Sequence, residues 1–166
     1  MRKTITIIGI SVFILIAGFY VLNAYIYNEK QGDIEYVDIK LYYYKPSLDQ
    51  GGGGVQRTRK GLVAVNRVLP KTDTLLEDTI SLLIMGELTD EERASGLTTE
   101  FPLDGFGLIG SNFTDDSTTL EFSDPLDKTV GGSCRVAILW AQIDETSKQF
   151  QGVKEVKFFP EELFQP

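Results

Sequence analysis

The sequence predicts an α+β domain, a mixed β-sheet with amphipathic helices packed on one face, preceded by a single N-terminal transmembrane helix. Three observations favour this fold class. Segments in which apolar and polar residues alternate, as in half-buried strands, occur early and late in the chain. Segments with apolar residues at helical spacing lie between them. An uncharged apolar run occupies residues 4–28.

The N-terminal apolar run is long enough to cross a bilayer. Its 25 positions contain no charged residue, whereas about 20 helical residues suffice. Arg2 and Lys3 precede it, so the positive-inside rule keeps the N-terminus cytoplasmic and sends the rest across the membrane. A cleaved signal peptide is the alternative, but its apolar region is usually about 7–15 residues long. We expect a signal anchor in residues 1–28, a short spacer in 29–35 and an extracytoplasmic domain in 36–166.

The composition beyond the anchor restricts both partners and chemistry. Without Arg2 and Lys3, 14 of the 16 basic residues remain against 24 acidic ones, a net charge of about −10. This charge repels phosphate groups, so nucleic acid is not an expected partner. The chain has no histidine, which removes the commonest general base and metal ligand. Cys134, the single cysteine, is expected to be a buried, inert thiol, and we expect no cofactor and no catalytic residue.

Alternating residues predict the first two strands. Val37, Ile39, Leu41 and Tyr43 form the apolar face of a strand over 36–44, and a second strand spans 62–69 before Pro70. Gly51–Gly54 lie in the intervening loop, which is expected to be mobile. A phosphate-binding loop is the alternative, but it requires Gly-x-x-x-x-Gly-Lys-Ser/Thr followed by a helix.

The remaining elements follow from helical spacing, caps and further alternation. A helix is predicted over 74–85, with Thr72 or Asp73 as N-cap and Gly86 at its end. Thr89-Asp90-Glu91-Glu92 has the pattern of a capping box at the start of a short helix. The longest helix of the domain is predicted over 134–150, capped by Ser133. Strands are predicted at 107–113, 118–123 and 153–159.

Two groups of residues are candidates for a functional site. Tyr42 and Tyr44 face away from the apolar side of the first strand, so they form a candidate interaction surface, although such tyrosines are also ordinary in sheets. Acidic residues cluster near the predicted hairpin and could bind a cation or act as a carboxylate pair. They lack the spacing of an EF-hand, so we interpret them as solvated turn residues. They are Asp115, Asp116, Glu121, Asp124 and Asp127.

Several blocks between Ile39 and Phe158 occur in an order typical of one known family. The blocks are Lys40–Tyr44, Leu62–Pro70, Leu82-Leu83 with Gly86, Glu92, Gly96–Thr99, Pro102, Cys134–Phe150 with Gln142, Ile143 and Thr146, then Val153 and Val156. On these residues the chain resembles the sporulation and spore germination domain family, called GerMN. The blocks mostly stop helices, end strands or form core, so they are a signature of folding. Glu87 stands where a proline commonly follows the glycine in this family.

The resemblance implies an extracytoplasmic, membrane-tethered domain without known catalytic residues. With the predicted anchor, it predicts a non-catalytic binding or scaffolding module of the bacterial cell envelope, connected with sporulation or germination. Its expected partner is another envelope protein, and its oligomeric state is left open. A module for a small ligand or wall glycan would need Tyr42, Tyr44 and the 47–61 loop to line one cavity. A carboxylate-dependent wall hydrolase is the remaining alternative.

Overall fold

The structure is a computed structural model that describes residues 16–23, 34–49 and 59–165. The chain divides into two compact units, Met1–Glu35 and Tyr36–Pro166. Residues 16–23 are helical, and the rest of the predicted membrane segment lies outside the described residues. Within the described ranges, no helix has the length and apolar character needed to cross a bilayer. The anchor therefore stays a prediction.

The unit Tyr36–Pro166 contains the strands and helices that the sequence predicts, with ends shifted by a few residues. The strands are β1 Tyr36–Tyr44, β2 Leu62–Pro70, β3 Gly107–Thr114, β4 Ser117–Ser123 and β5 Glu155–Phe159. The α-helices are α1 Leu75–Ile84, α2 Asp90–Ala94 and α3 Ser133–Ser147. Short 3-10 helices span Pro46–Leu48 and Arg59–Gly61. The predictions for Gly51–Gly54 fall outside the described residues.

The strands form two sheets, so the mixed α+β class is confirmed but the prediction of a single sheet is wrong. β1 and β2 pair antiparallel, in register from Tyr36 opposite Pro70 to Tyr44 opposite Leu62. The second sheet has the order β3-β4-β5, with β3 and β4 antiparallel and β4 and β5 parallel. The physical reason for the separation is that side chains of α3 occupy the second edge of β1, as described below.

The core lies around α1 and α3. Leu76, Ile80 and Leu83 form the buried stripe of α1, as predicted from their spacing. Along α3, Leu139 and Ile143 are buried on the predicted face. Aromatic rings in contact with one another connect Trp140 of α3 to Phe122 and Phe158 of the three-stranded sheet. They belong to Phe101, Phe106, Phe122, Trp140, Phe158 and Phe164.

Several details of the helix ends differ from the sequence predictions. The N-cap of α3 is Gly132, and Ser133 belongs to the helix without capping it. Cys134 is exposed, so the prediction of a buried thiol is wrong. It lies two positions before the buried Val136, which is about 200° around a helix of 3.6 residues per turn. The capping box of α2 is confirmed, since Thr89 and Glu92 each accept a hydrogen bond from the other's backbone N–H.

Gly86 shows why a glycine follows α1. Its φ is +68°, which L-residues with side chains rarely adopt. A Cβ placed on Gly86 would lie 2.0 Å from the carbonyl oxygen of Phe101. Chain reversal after α1 and close packing against the segment before β3 therefore both require glycine at this position.

Candidate functional site

The edge of β1 that faces away from β2 is covered by polar side chains of α3 and the turn after it. The backbone N–H of Lys40 donates to Oε1 of Gln149 (2.8 Å), and Nε2 of Gln149 donates to the carbonyl of Lys40 (2.7 Å). The N–H of Tyr42 donates to Oγ1 of Thr146 (3.1 Å), and Nε2 of Gln142 donates to the carbonyl of Tyr42 (3.1 Å). These side chains make the bonds that a neighbouring strand would make.

The covering side chains are arranged by the helix itself. Gln142, Thr146 and Gln149 are spaced four and three residues apart, which places them in one row along α3 and its C-terminal turn. Gln142 and Thr146 are fully buried. One more residue continues the closure of the same edge, because Tyr44 and Thr98 exchange two backbone hydrogen bonds of 3.1 and 2.7 Å. The β1 edge is thus closed from Lys40 to Tyr44.

The bonds of β1 also define which groups of β2 point outward. In an antiparallel pair, residues directly opposite each other are either both bonded across the pair or both turned away from it. Lys40 and Tyr42 are turned away from β2, and their partners in the register are Asn66 and Ala64. The N–H and C=O groups of Ala64 and Asn66 therefore point to the outer edge of β2. Leu62 and Val68 follow by the same alternation.

Within the part of the chain that the structure describes, the outer edge of β2 is not paired with a strand, although the Asn66 carbonyl accepts from the Arg67 guanidinium (3.0 Å). No strand of residues 34–49 and 59–165 pairs with it. The residues whose backbone groups point to this edge, Ala64, Asn66 and Val68, have exposed side chains. Val68 alone is 60% exposed. β2 is nine residues long, carries one charged side chain and contains proline only at its last position. Such an edge is a template for pairing with another strand.

The edge strands of the second sheet are protected by familiar devices. β3 has a register shift between Leu108 and Gly110, which is a bulge that interrupts regular pairing. β5 has only five residues, includes Glu155 and Lys157, and is followed by Pro160. Short, charged or bulged edges resist pairing with other chains. Of the edges described, β2 therefore offers the longest regular template.

Arg67 fixes β2 to the start of α2. Its guanidinium binds both carboxylate oxygens of Glu92, at 2.7 and 2.8 Å, and also donates to the carbonyls of Asn66 and Glu87. The hydrogen bonds from Arg67 hold the pKa of the Glu92 carboxyl below its usual value, although partial burial opposes this. Glu92 also completes the capping box with Thr89. The open edge is consequently held at its centre by a charged, bidentate pair.

The two tyrosines proposed as an interaction surface have different environments. Tyr42 is half-buried, but Tyr44 is only 6% exposed, so the expectation that it is an exposed contact residue is wrong. The hydroxyl of Tyr44 donates to Oδ2 of Asp49 (2.9 Å). Its ring lies against Gly61, where an added Cβ would come within 2.3 Å of the ring. Tyr44 is therefore covered by Asp49 and Gly61, which lie on either side of residues 50–58. The alternation of residues along β1 does not predict this burial.

Tyr44 nevertheless lines a cavity of about 280 Å³. Gln142, buried to 0% exposure, is another lining residue, and its Oε1 has no hydrogen-bond partner among the residues that the structure describes. Tyr42 is not among the lining residues, and most of the 47–61 loop lies outside the described residues. Of the residues predicted to converge, only Tyr44 lines this cavity, together with Pro46, which directly precedes the 47–61 loop. The other lining residues are Thr98, Thr99, Glu100, Ile138 and Leu139.

A charged cluster on α3 was not predicted from the sequence. Asp144 is 1% exposed and accepts from Arg59 (2.7 Å) and from Lys148 (2.8 Å). Arg59 also pairs with Glu145 and lies 4.5 Å above the centre of the Trp140 ring. Desolvation acts to lower the pKa of Arg59, but its hydrogen bonds and ion pairs with Asp144 and Glu145 raise it overall. The cluster attaches the start of the β2 segment to α3.

The predicted acidic group is spread along turns and a strand. Asp115 has a φ of +46° in the β3–β4 turn, and Asp116 forms an ion pair with Lys154 (2.6 Å). Asp124 accepts hydrogen bonds from the N–H groups of Lys128 and Thr129, both 2.8 Å. Burial acts to raise the pKa of the Asp124 carboxyl, but these bonds lower it overall. Glu121 and Asp127 are exposed. Among the described residues, no three acidic or cysteine side chains are placed to hold a metal ion.

Comparisons with known proteins identify the fold. The family profile described as sporulation and spore germination (Germane) matches residues 40–161. The tandem GerMN domains of the sporulation protein GerM from Bacillus subtilis superpose with a TM-score of 0.52 and 18% identity over 78% of this chain, which spans 41% of that one. The first GerMN domain of the same protein gives 0.49 and 16%, covering 76% of this chain and 86% of that one. A search of curated proteins finds no match.

Proposed function

Because the chain belongs to the sporulation and spore germination (GerMN) domain family, we propose that it is a non-catalytic envelope module which binds a protein partner through the outer edge of β2. The observation that carries the proposal is the contrast between the two edges of one sheet. The β1 edge is closed by Gln142, Thr146 and Gln149, whereas the outward N–H and C=O groups of the β2 edge pair with no strand of the described residues, and one of them, the Asn66 carbonyl, accepts from Arg67. Strand addition to such an edge is a common mode of recognition.

The composition of β2 supports a protein partner over a charged polymer. The residues whose backbone groups point to the edge, Ala64, Asn66 and Val68, have uncharged side chains. Their side chains therefore neither attract nor repel charged groups. Affinity would come from main-chain hydrogen bonds, and Val68 would supply apolar contact. Arg67, held by Glu92, keeps the strand in place before a partner arrives, which lowers the entropic cost of binding.

Crosslinking from the edge in the protein's native cells tests this function. We expect a photoreactive amino acid at position 68 of the full chain to capture an envelope protein. The matched control is position 113, because Phe113 is a similarly exposed apolar residue of the other sheet (54% against 60%). Asn66→Pro, which removes an outward N–H, should abolish capture, and Asn66→Ala, which keeps it, should not. Capture that is equal from both positions, or insensitive to Asn66→Pro, contradicts the proposal.

The proposed module is anchored by residues 1–28, with Tyr36–Pro166 outside the membrane. The support is the 25-residue uncharged run preceded by Arg2 and Lys3. Full-length protein should remain in the membrane fraction after a high-salt wash, and protease added to spheroplasts should degrade the domain. Recovery of a mature N-terminus near Tyr25 would show that the segment is cleaved, which contradicts the proposed anchor.

Ligand binding is a second candidate function, favoured by the cavity at Tyr44. Its specific support is Oε1 of Gln142, which accepts no hydrogen bond from the described residues and would suit a ligand with an N–H or O–H donor. Wall glycan fragments carry both groups. A shift of the Gln142 side-chain amide resonance during titration with such fragments would support this function. If millimolar concentrations of the fragments do not shift this resonance, the ligand-binding function is contradicted.

A further inference from the structure

We propose that the outer face of the β1–β2 sheet, at the end where β1 begins, rests on the lipid surface of the membrane that holds the anchor. This inference rests on the anchor in the proposed function. It concerns the face of the sheet, whereas strand addition concerns the edge of β2, so the two contacts can exist together. We call Tyr36, Asp38, Val68 and Pro70 the β1–β2 patch.

The patch lies on the side of the sheet that is turned away from the core. Ile39 is buried on the inner face, so Tyr36 and Asp38, an odd number of positions away or next to it, lie on the outer face. Tyr36 is directly opposite Pro70 in the register. Val68 is two positions from Pro70, within reach of an aromatic ring on the diagonal. Tyr36 is 59% exposed and Val68 60%, so the exposed apolar side chains form one contiguous group.

The other large apolar side chains that are exposed on the described strands are isolated by comparison. Phe159 of β5 lies opposite the charged Glu121. Phe113 lies opposite Thr118, and Ile109 falls at the bulge of β3, where it has no cross-strand partner. Single exposed apolar residues are ordinary on a protein surface, whereas contiguous ones mark contact with a protein or a membrane.

Chain connectivity favours lipid as the occupant of the patch. The predicted anchor ends at residue 28, and Tyr36 is the first residue of β1, so eight residue steps separate them. Eight fully extended residues span at most about 29 Å. The opposite end of β1, at Tyr44, is about 26 Å further along the strand. The patch is thus at the end of the sheet that the chain ties most closely to the bilayer, and tyrosine is enriched at membrane–water interfaces.

The charge of this face also favours a lipid surface. Beyond the anchor, 14 basic residues stand against 24 acidic ones, and an anionic surface repels this excess. On the outer face of the sheet, Asp38 and Lys40 are the charged side chains, and their charges cancel. Glu35 and Lys71, which adjoin the strands at the same end, cancel as well. A neutral face meets the least repulsion, so an anionic bilayer would orient the domain with this face toward it.

Quenching by labelled lipid tests the contact in the full chain. In a Cys134→Ser background, a fluorophore is attached to Asp38→Cys in the patch or, as the matched control, to Glu121→Cys on the outer face of the other sheet. Each variant removes one exposed carboxylate. The chain is reconstituted in nanodiscs of phosphatidylcholine and phosphatidylglycerol that contain a lipid with a nitroxide on its headgroup. We expect quenching at least about threefold stronger at position 38 than at position 121. Equal quenching overturns the proposal.

A second pair of variants tests whether the exposed apolar side chains make the contact. Tyr36→Ser should lower quenching at position 38 at least about twofold, because it removes the ring that enters the interface. Phe159→Ser is the matched control, since it removes a similarly exposed aromatic ring from β5 (52% against 59%), and it should leave quenching unchanged. The difference should persist at high salt, which screens charge attraction and not apolar contact. Equal effects of the two substitutions overturn the proposal.

The outcomes separate this inference from the proposed function. A chain that stays with the nanodiscs after a high-salt wash but is quenched equally at positions 38 and 121 overturns the lipid contact and leaves the anchor intact. A chain that the nanodiscs do not retain removes the anchor and this inference together. Equal quenching combined with capture of an envelope protein from a photoreactive amino acid at position 36 overturns the lipid contact and assigns the patch to a protein.

Discussion

The two edges of the β1–β2 sheet carry the same kind of backbone groups, but only the β1 edge is covered by hydrogen-bonding partners along its length. Along β1, each outward group from Lys40 to Tyr44 meets a partner from α3, from Gln149 in the turn after it, or from Thr98. Along β2, the corresponding groups of Ala64 and Asn66 meet no strand of the described residues. The comparison shows that side chains of a helix can close a strand edge. β2 has no such cover, so it can still pair with another strand.

Proline substitutions on the two sides of β2 should give the largest difference. Val65 lies opposite Leu41 in the bonded positions of the pair, so Val65→Pro removes a cross-strand bond and should cost about 3 kcal/mol or more. Asn66→Pro removes only an outward N–H and should cost about 1 kcal/mol or less. Urea unfolding of the full chain, followed by circular dichroism, measures both. Equal costs would mean that the N–H of Asn66 is bonded within the fold.

Removing one hydroxyl from the cover of β1 should have an intermediate effect. Thr146→Val leaves the N–H of Tyr42 without its acceptor in a partly buried position, which should cost about 1–3 kcal/mol. Thr79→Val is the matched control, because Thr79 is equally buried but its hydroxyl only bonds the carbonyl of Leu75 in the same helix (2.7 Å). If both variants lose the same stability in urea, the bond to Tyr42 does not stabilise the edge.

The ion pair that holds β2 should produce the smallest effect, visible as a pH dependence. The pKa of the folded Glu92 carboxyl lies below its ordinary value of 4.5, chiefly because Arg67 donates to it. Its stabilising contribution is therefore complete above about pH 4.5 and is lost as the pH falls through the folded pKa. Glu92→Gln should lower stability by about 1 kcal/mol near neutral pH and reduce the loss of stability in acid.

Urea unfolding at a series of pH values measures the effect at Glu92. Glu121→Gln is the control, because Glu121 is an exposed carboxylate on β4 and its substitution removes the same charge. An acid dependence that flattens equally in both variants would show that Arg67 and Glu92 do not contribute through their pairing.

The local elements could be predicted from the sequence because their signals are local. Alternation at Val37, Ile39, Leu41 and Tyr43 located β1 to the residue, and the spacing of Thr89 and Glu92 identified the capping box. The stripe of α1 was equally clear. In each case the energetic cause lies within about ten residues, which is the range that a periodic pattern reports.

The division into two sheets could not be predicted in the same way. Gln142, Thr146 and Gln149 look like the polar residues of any amphipathic helix, yet they bond a strand about a hundred residues earlier in the chain. Tyr44 was misjudged for a related reason, because its cover comes from Gly61 across the 50–58 segment. A signal was present in the sequence, since Gln142 and Thr146 lie within one helical turn of Leu139 and Ile143, which were predicted to be buried.

Arg59 and Asp49 have a practical consequence for protein engineering. Asp49 is fixed by the hydroxyl of Tyr44, and Arg59 by Asp144 and the Trp140 ring, so the chain is pinned on both sides of residues 50–58. Lengthening a segment between fixed ends changes closure entropy only slowly. A reporter peptide or affinity tag inserted there should leave the strand register untouched, which makes this segment a suitable insertion site on the domain.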